Sequence, residues 1–355
     1  MKNLILVINT GSSSTKVALF RDSEPLIQKE IHHSKEELKK LDNIIKELDF
    51  RYSNIEKIIS DENIDLNSIT AIGAIGGILK PLQGSVYRIN EIMVNDILEG
   101  KVQAQHASNI SAVIAFNIAK KLNIPSFIID PISTDELSEI ARISGLPFIP
   151  RKSRTHALNV KACVRKAKRE LNLSGETNFI VAHIGGGLTI NLVCDDRIVD
   201  VEDARQYGPF STDAAGGVTI PDFIEYVFNE GVSKDDAIKY WYGKGGITAH
   251  LGVNSIKDTL SMVNNGDNKT KLILDAMCYQ IAKAIGALYV ANKGKIDAII
   301  ITGGAARAEF IIDNLRNYIS FLGKIIVYPG EEELNAIAES VILALKGELP
   351  IKEYN

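Results

Sequence analysis

Three short turns in this chain join glycine to hydroxyl or imidazole side chains. The first, Asn9-Thr-Gly-Ser-Ser-Ser-Thr-Lys16, follows the apolar run Leu4 to Ile8 and leads into Val17-Ala18-Leu19-Phe20, so it reads as the turn of a β-hairpin. Gly11 can take a positive φ, and the hydroxyls of Thr10, Ser12, Ser13, Ser14 and Thr15 join backbone N–H groups in a concave donor surface that suits a phosphate. The second, His183-Ile-Gly-Gly-Gly-Leu-Thr189, has three glycines, Gly185, Gly186 and Gly187, that let backbone amides approach a ligand closely. The third, Thr302-Gly303-Gly304-Ala305, follows the apolar run Ala298 to Ile301 and precedes a helical segment, as a nucleotide-binding turn does. One Ser/Gly turn is usually only a turn. Three on one chain point to phosphate chemistry.

The first two turns belong to a longer duplication. Leu6 to Asp22 aligns with Ile180 to Asp196, placing Gly11 over Gly185 and Thr15 over Thr189, with a second strand ending at an acidic residue in both copies. A further carboxylate, Asp130, closes the buried-strand run Ser126-Phe-Ile-Ile. The C-terminal ends of strands are where open α/β sheets hold their chemistry, and a hard carboxylate there suits a cation.

The elements that must position these groups follow from composition and pattern. At 355 residues the chain exceeds the size of one usual hydrophobic core, so two domains are expected. With 45% hydrophobic and 6% aromatic residues it is rich in aliphatic side chains for α/β cores. A net charge of -4 argues against non-specific nucleic-acid binding. No basic segment precedes an apolar one at the N-terminus and no apolar run reaches membrane-spanning length, so a cytoplasmic protein without a membrane partner is expected. Cys163, Cys194 and Cys278 match no metal-ligand spacing and read as reduced thiols.

In chain order, helical segments are expected at Lys35 to Leu48, Ser53 to Glu62, Glu91 to Leu98 and Ile110 to Lys121, the last entered by His106-Ala-Ser-Asn109. A short buried strand runs from Ile69 to Ile75 and ends at Gly76-Gly77. Helices are expected from Ser133 to Ile143 and, basic in character, from Thr155 or Ala157 to Leu171. Tyr207 to Gly217 reads as a long irregular loop, which in a compact domain suggests function. Further helices are expected at Ile220 to Asn229, Lys234 to Tyr240, Asp258 to Asn264 and Lys269 to Ala291. Lys324 to Tyr328 reads as the last strand, and a terminal helix follows from about Leu334 to Leu345.

The motifs taken together resemble the acetate and butyrate kinase family, and within it the butyrate kinase branch, in the superfamily of sugar kinases, heat-shock ATPases and actin. The resemblance runs through Asn9 to Lys16, Gly76-Gly77 with Leu79-Lys80-Pro81, His106-Ala-Ser-Asn109, Asp130-Pro131, Ala141-Arg-Ile-Ser-Gly145, Arg151-Lys-Ser153, His156-Ala-Leu-Asn159, Ala182 to Gly187, Gly208-Pro-Phe210, Thr302-Gly-Gly304 and Tyr328-Pro-Gly-Glu331. Their number and order make it specific.

The resemblance implies an α/β fold of two duplicated ribonuclease-H-like (actin-like ATPase) domains around a nucleotide cleft, one formed by residues 1–132 with 334–355 and one by 133–333, usually as a homodimer. It implies reversible transfer of the ATP γ-phosphoryl group to a short-chain carboxylate, with Mg²⁺ present. Carried over by position, Asn9, Ser12 and Lys16 contact phosphate, and Gly11 shapes the turn. His183 with Gly185, Gly186 and Gly187 meets the transferring group, and His156 supports the transition state. Gly303 and Gly304 line the adenosine pocket, while Asp130 and Glu333, with Glu332 as the neighbouring alternative, hold Mg²⁺.

Two positions depart from the family pattern. Ile75 stands where an arginine precedes the first Gly-Gly pair, and Ala214 stands where a second arginine follows the Gly-Pro-Phe loop. A guanidinium is a fixed, permanently charged fork that neither residue imitates, and such arginines are worth about 10³-fold or more in phosphoryl transfer. Arg205, Arg154 and Lys80 are the nearby cations that could substitute. Three functions therefore stay open: an active carboxylate kinase, a nucleotide-binding paralogue with impaired transfer, and a kinase for another acceptor.

Overall fold

The computed structural model describes residues 3–41 and 43–355. It separates into two compact units, one comprising the chain up to Glu136 with Ala157–Asn159 and Glu332–Asn355, the other Leu137–His156 with Val160–Glu331.

The first unit is built on a seven-stranded sheet. Its strands are β1 (Leu4–Thr10), β2 (Ser14–Arg21), β3 (Glu24–His32), β4 (Ala71–Ile75), β5 (Val86–Arg88) and β6 (Ser126–Ile129), and it is completed from the end of the chain. The second unit holds a five-stranded sheet of β7 (Asn178–Ile184), β8 (Leu188–Cys194), β9 (Arg197–Asp203), β10 (Ala298–Gly303) and β11 (Ile325–Pro329). The last strand, β12 (Ile351–Glu353), returns to the first sheet, whose order is β12-β5-β6-β4-β1-β2-β3. The second sheet has the order β11-β10-β7-β8-β9. Each therefore repeats one plan, an antiparallel three-strand meander with parallel strands added beside its first member.

The duplication extends to register. Asn9 faces Lys16 and Thr10 faces Thr15 across the first hairpin, while His183 faces Thr189 and Ile184 faces Leu188 across the second. Each β2–β3-type turn carries an aspartate with left-handed backbone, Asp22 at φ 53 and Asp196 at φ 62.

Both sheets are covered on two faces, which is why β1 and β7 read as unbroken apolar runs. In the first unit, helix Ala107–Leu122 packs with Ile72 and Ala74 of β4 in one core. Gly73 points the other way, toward helix Glu333–Leu345, and a methyl group there would fall 2.5 Å from Ile337. That helix can approach the sheet closely only over a glycine.

Several expected elements are corrected. Helices Lys35–Lys39 and Ile44–Asp61 divide the first charged region differently, and the second is one continuous helix through Ser53. Asp42, inside the expected helix Lys35 to Leu48, lies outside the described residues. Ser133 to Ser138 is not helical, since Leu82 donates to the Ser133 carbonyl and accepts from Asp135 in a parallel bridge, leaving only Glu139–Arg142 as helix. A helix at Gly246–Leu251, opened by Gly246 at φ 57, was hidden by its flanking glycines. Lys324 to Tyr328 is followed by β12, so it is not the final strand. Helix Asn268–Ala291 is long and apolar enough to cross a membrane, by length and composition, but half of its most apolar stretch is buried within the fold. The three cysteines are free thiols.

Candidate active site

In the first unit the Asn9–Lys16 turn is closed by Gly11 N–H donating to the Ser14 carbonyl at 2.8 Å, leaving Ser12 and Ser13 exposed at its tip. Asn9, 2% exposed, ends β1 with its side-chain amide donating to Glu333 Oε2 at 2.6 Å. Lys16, opposite Asn9 in the ladder, stays partly exposed and lies 3.8 Å from Glu30.

His106 caps helix Ala107–Leu122 and meets the turn. Its Nδ1 accepts from the Ser108 N–H, so the ring proton belongs on Nε2, which is 3.0 Å from Ser12 Oγ. The Ser12 oxygen thereby accepts from His106, and its own hydrogen is available to an anion.

Asp130 follows β6, is 6% exposed and takes φ 37. A buried carboxylate in left-handed backbone is an uncommon arrangement that functional sites retain. Glu332, by contrast, is exposed and accepts from Asn335 at 3.2 Å. Among the described residues no cluster of three or more His, Cys, Asp or Glu could hold a metal. A Mg²⁺ ion keeps waters and phosphate oxygens as most of its ligands and would ask for only one or two carboxylates.

In the second unit His183, 1% exposed at the end of β7, places Nε2 3.0 Å from Glu331 Oε1. The His156 ring stacks on it with centroids 3.8 Å apart and planes 8° from parallel. Burial, the neighbouring His183 ring and the Arg205 charge hold His156 well below the usual histidine pKa, so it is neutral near pH 7. Asn191 donates to Thr189 Oγ1 at 3.3 Å, and that hydroxyl lies 3.2 Å from His156 Nδ1. The ring is thus tied through Thr189 to the β8 side chains. The Nε2 edge of the ring abuts the glycine turn, since a Cβ on Gly187 would lie 2.8 Å from Cε1 and Nε2.

The glycines divide by cause. Gly303, at φ 93, crosses the end of β7 so closely that a Cβ would sit 2.4 Å from the Ile184 carbonyl oxygen. Gly186 and Gly304 have open space where a Cβ would be and need no positive φ.

The three nearby cations stand in different surroundings. Lys80 is bound to Asp96 at 2.5 Å and lies over the Tyr354 ring, while Arg154 is exposed. Arg205, whose Nε lies 3.6 Å from buried Asp203, is the one whose charge reaches His156. Ala214 is 1% exposed within the second core, where Ser211 N–H donates to its carbonyl. Its methyl group is thus packed inside the fold, with no charge of its own to offer a ligand. Sequence reasoning placed Glu331 in the Tyr328-Pro-Gly-Glu331 motif but did not pair it with His183.

Residues 148–346 match the model of the Acetokinase family. The chain is 39% identical over 351 residues, 99% of both sequences, to probable butyrate kinase 2 of Caldanaerobacter subterraneus subsp. tengcongensis. Among solved structures it resembles the acetate kinase of Entamoeba histolytica, with TM-score 0.76 and 17% identity over 98% of this chain and 99% of that one. The propionate kinase of Francisella tularensis matches with TM-score 0.72 and 19% identity over 95% and 98%. These two likenesses establish the actin-like ATPase fold, while the family match and the full-length curated relative carry the kinship. The chain belongs to the acetokinase family and is a carboxylate kinase.

Proposed function

We propose that the chain moves the γ-phosphoryl group of ATP onto a short-chain carboxylate, butyrate or a branched relative, giving ADP and an acyl phosphate, and runs in both directions. The observation that carries this reading is the stacked His156–His183 pair set against the Gly185–Gly187 turn with the Arg205 charge beside it. Phosphoryl transfer asks the protein for alignment and for donors on the equatorial oxygens. The ring nitrogens of neutral His156 and of His183 are such groups, and Arg205 supplies fixed charge.

In this reading Asn9, Ser12 and Lys16 hold phosphate oxygens, and Gly303 and Gly304 admit adenosine. Asp130 and Glu333 hold Mg²⁺, which neutralises the charge of the phosphate oxygens when bound. Residues 1–132 with 334–355 and residues 133–333 act as the two functional domains. A cytoplasmic homodimer belongs to the same reading.

A coupled assay of ADP release with acetate, propionate, butyrate, isobutyrate and no acid tests the function. Butyrate-dependent release is expected, and ADP release indifferent to every acid would overturn it. The second reading, an impaired paralogue, is favoured by Ile75 and Ala214. Arg205→Ala separates the two. A fall of about 10³-fold marks Arg205 as the working guanidinium, whereas wild-type turnover already near the background of the variant favours impairment.

A further inference from the structure

Arg51 is the largest fully buried side chain of the protein, and it lies directly behind the first phosphate turn. Helix Ile44–Asp61 carries it there. Its Nη1 donates to the Ser14 carbonyl at 2.6 Å and to Thr15 Oγ1 at 3.1 Å, and Nη2 donates to Glu47 Oε1 at 3.1 Å. The Ser14 carbonyl is the one that also accepts from Gly11 N–H. The guanidinium and the turn's own closing bond therefore meet on a single oxygen.

His33 completes the bracing from β3. Its backbone N–H donates to the Ser13 carbonyl at 2.8 Å and its Nε2 lies 2.8 Å from Thr15 Oγ1. Thr15 Oγ1 is therefore shared between the Arg51 guanidinium and the His33 ring. Burial and the Arg51 charge lower the His33 pKa. Carbonyls of Ser13 and Ser14 are thus drawn inward, and the exposed tip keeps its donors outward.

This is an expensive way to stabilise a turn. Arg51 Nε is buried without a hydrogen-bond partner, and a buried ion pair is often replaceable by apolar residues at no loss of stability. A planar fork that reaches two adjacent acceptors is, however, hard to replace when the geometry of a loop matters. We propose that Arg51 is a positioning residue that holds the Asn9–Lys16 turn in its phosphate-receiving shape, while its charge adds to the attraction for an anion at the tip. The inference rests on the reading of that turn as a phosphate site.

The test compares wild type, Arg51→Lys and the paired replacement Arg51→Met with Glu47→Leu, which removes both charges together and keeps the variant set usable if the lysine does not fold. Amide exchange across residues 10–16 is expected to quicken about tenfold or more in either folded variant, with exchange in helix Ala107–Leu122 unchanged. MgATP should bind about tenfold more weakly by calorimetry while adenosine, which lacks phosphates, binds as before. Unchanged turn exchange, or equal weakening of both ligands, overturns the proposal. A wild type that binds no MgATP refutes instead the phosphate reading, and the exchange measurement still decides whether Arg51 braces the turn.

Discussion

Asn9 and His183 occupy the same place in two copies of one hairpin, and each reaches a glutamate of the same acidic run. Asn9 Nδ2 donates to Glu333 at 2.6 Å, and His183 Nε2 lies 3.0 Å from Glu331. An amide offers a donor and an acceptor on one planar head, an imidazole two ring nitrogens. Under the proposed function each copy would present its own kind of group to the phosphates. The boundary between the two units falls between Glu331 and Glu332, so each copy draws on its own side of the run.

Gly187→Ala should slow transfer without unfolding the chain. Its methyl would meet His156 at 2.8 Å, and the ring, stacked on His183, must move. A displacement near 1 Å at a reacting centre costs about 10²-fold. Turnover by the coupled assay should fall by that order with the melting temperature nearly unchanged; normal turnover would show that the ring position is not used.

Asp130→Asn isolates charge from backbone. Asparagine tolerates the left-handed φ of 37 at this position, where alanine would add strain. Nucleotide binding should lose most of its magnesium dependence while thermal stability stays close to wild type. A large stability loss with intact magnesium dependence would assign Asp130 a structural role instead.

Stability should fall as pH drops below about 6.5, the ordinary histidine value. His156 is held well below it by burial, by His183 and by Arg205. The unfolded chain then binds a proton that the folded chain refuses, and the linkage relation makes stability decline with falling pH in that window. His156→Asn should flatten the curve of melting temperature against pH. Some slope should persist, because His33 is shifted the same way. Parallel curves for wild type and variant would refute the assignment.

Glu202 gives the opposite sign. Burial, opposed by Arg151 and aided by Asp200, raises its carboxyl to about 7. The folded state therefore binds the extra proton, and the favourable contribution present at low pH is lost as pH rises through about 7. Glu202→Gln should stabilise the protein at pH about 8 by on the order of 1–3 kcal/mol, from the shift discounted for partial exposure. At pH about 5 the gain should shrink. Urea midpoints at the two pH values measure it, and equal gains at both would show that Glu202 titrates as an ordinary surface carboxylate.

Much of the fold was legible because its strands are short apolar runs bounded by polar turns, as at Leu4 to Ile8 and Ala298 to Ile301. The duplicated hairpin could be read from Gly11 over Gly185 and Thr15 over Thr189, and it is reproduced strand for strand. What escaped depends on partners distant in sequence. Ser133 to Ser138 has helical composition, yet Leu82 competes for its backbone. Ile351–Glu353 is too short and polar to announce a strand and becomes one only by pairing with Val86–Arg88. At the site, Arg51 falls in the gap between two expected helices, Lys35 to Leu48 and Ser53 to Glu62, and only the continuous helix Ile44–Asp61 turns it inward.

The left-handed aspartates at the other end of the two hairpins bear on history rather than chemistry. Asp22 and Asp196 lie beyond the far ends of β2 and β8, a strand's length from the phosphate turns, yet share a backbone conformation that most residues avoid. Their side chains serve unlike partners, Asp22 accepting from the Asn3 N–H at 3.0 Å and Asp196 from Lys168 at 2.9 Å. Inheritance from one ancestral hairpin accounts for the shared backbone without any shared ligand. The two copies then diverged at the other end, asparagine in one and histidine in the other, and kept the aspartate turn.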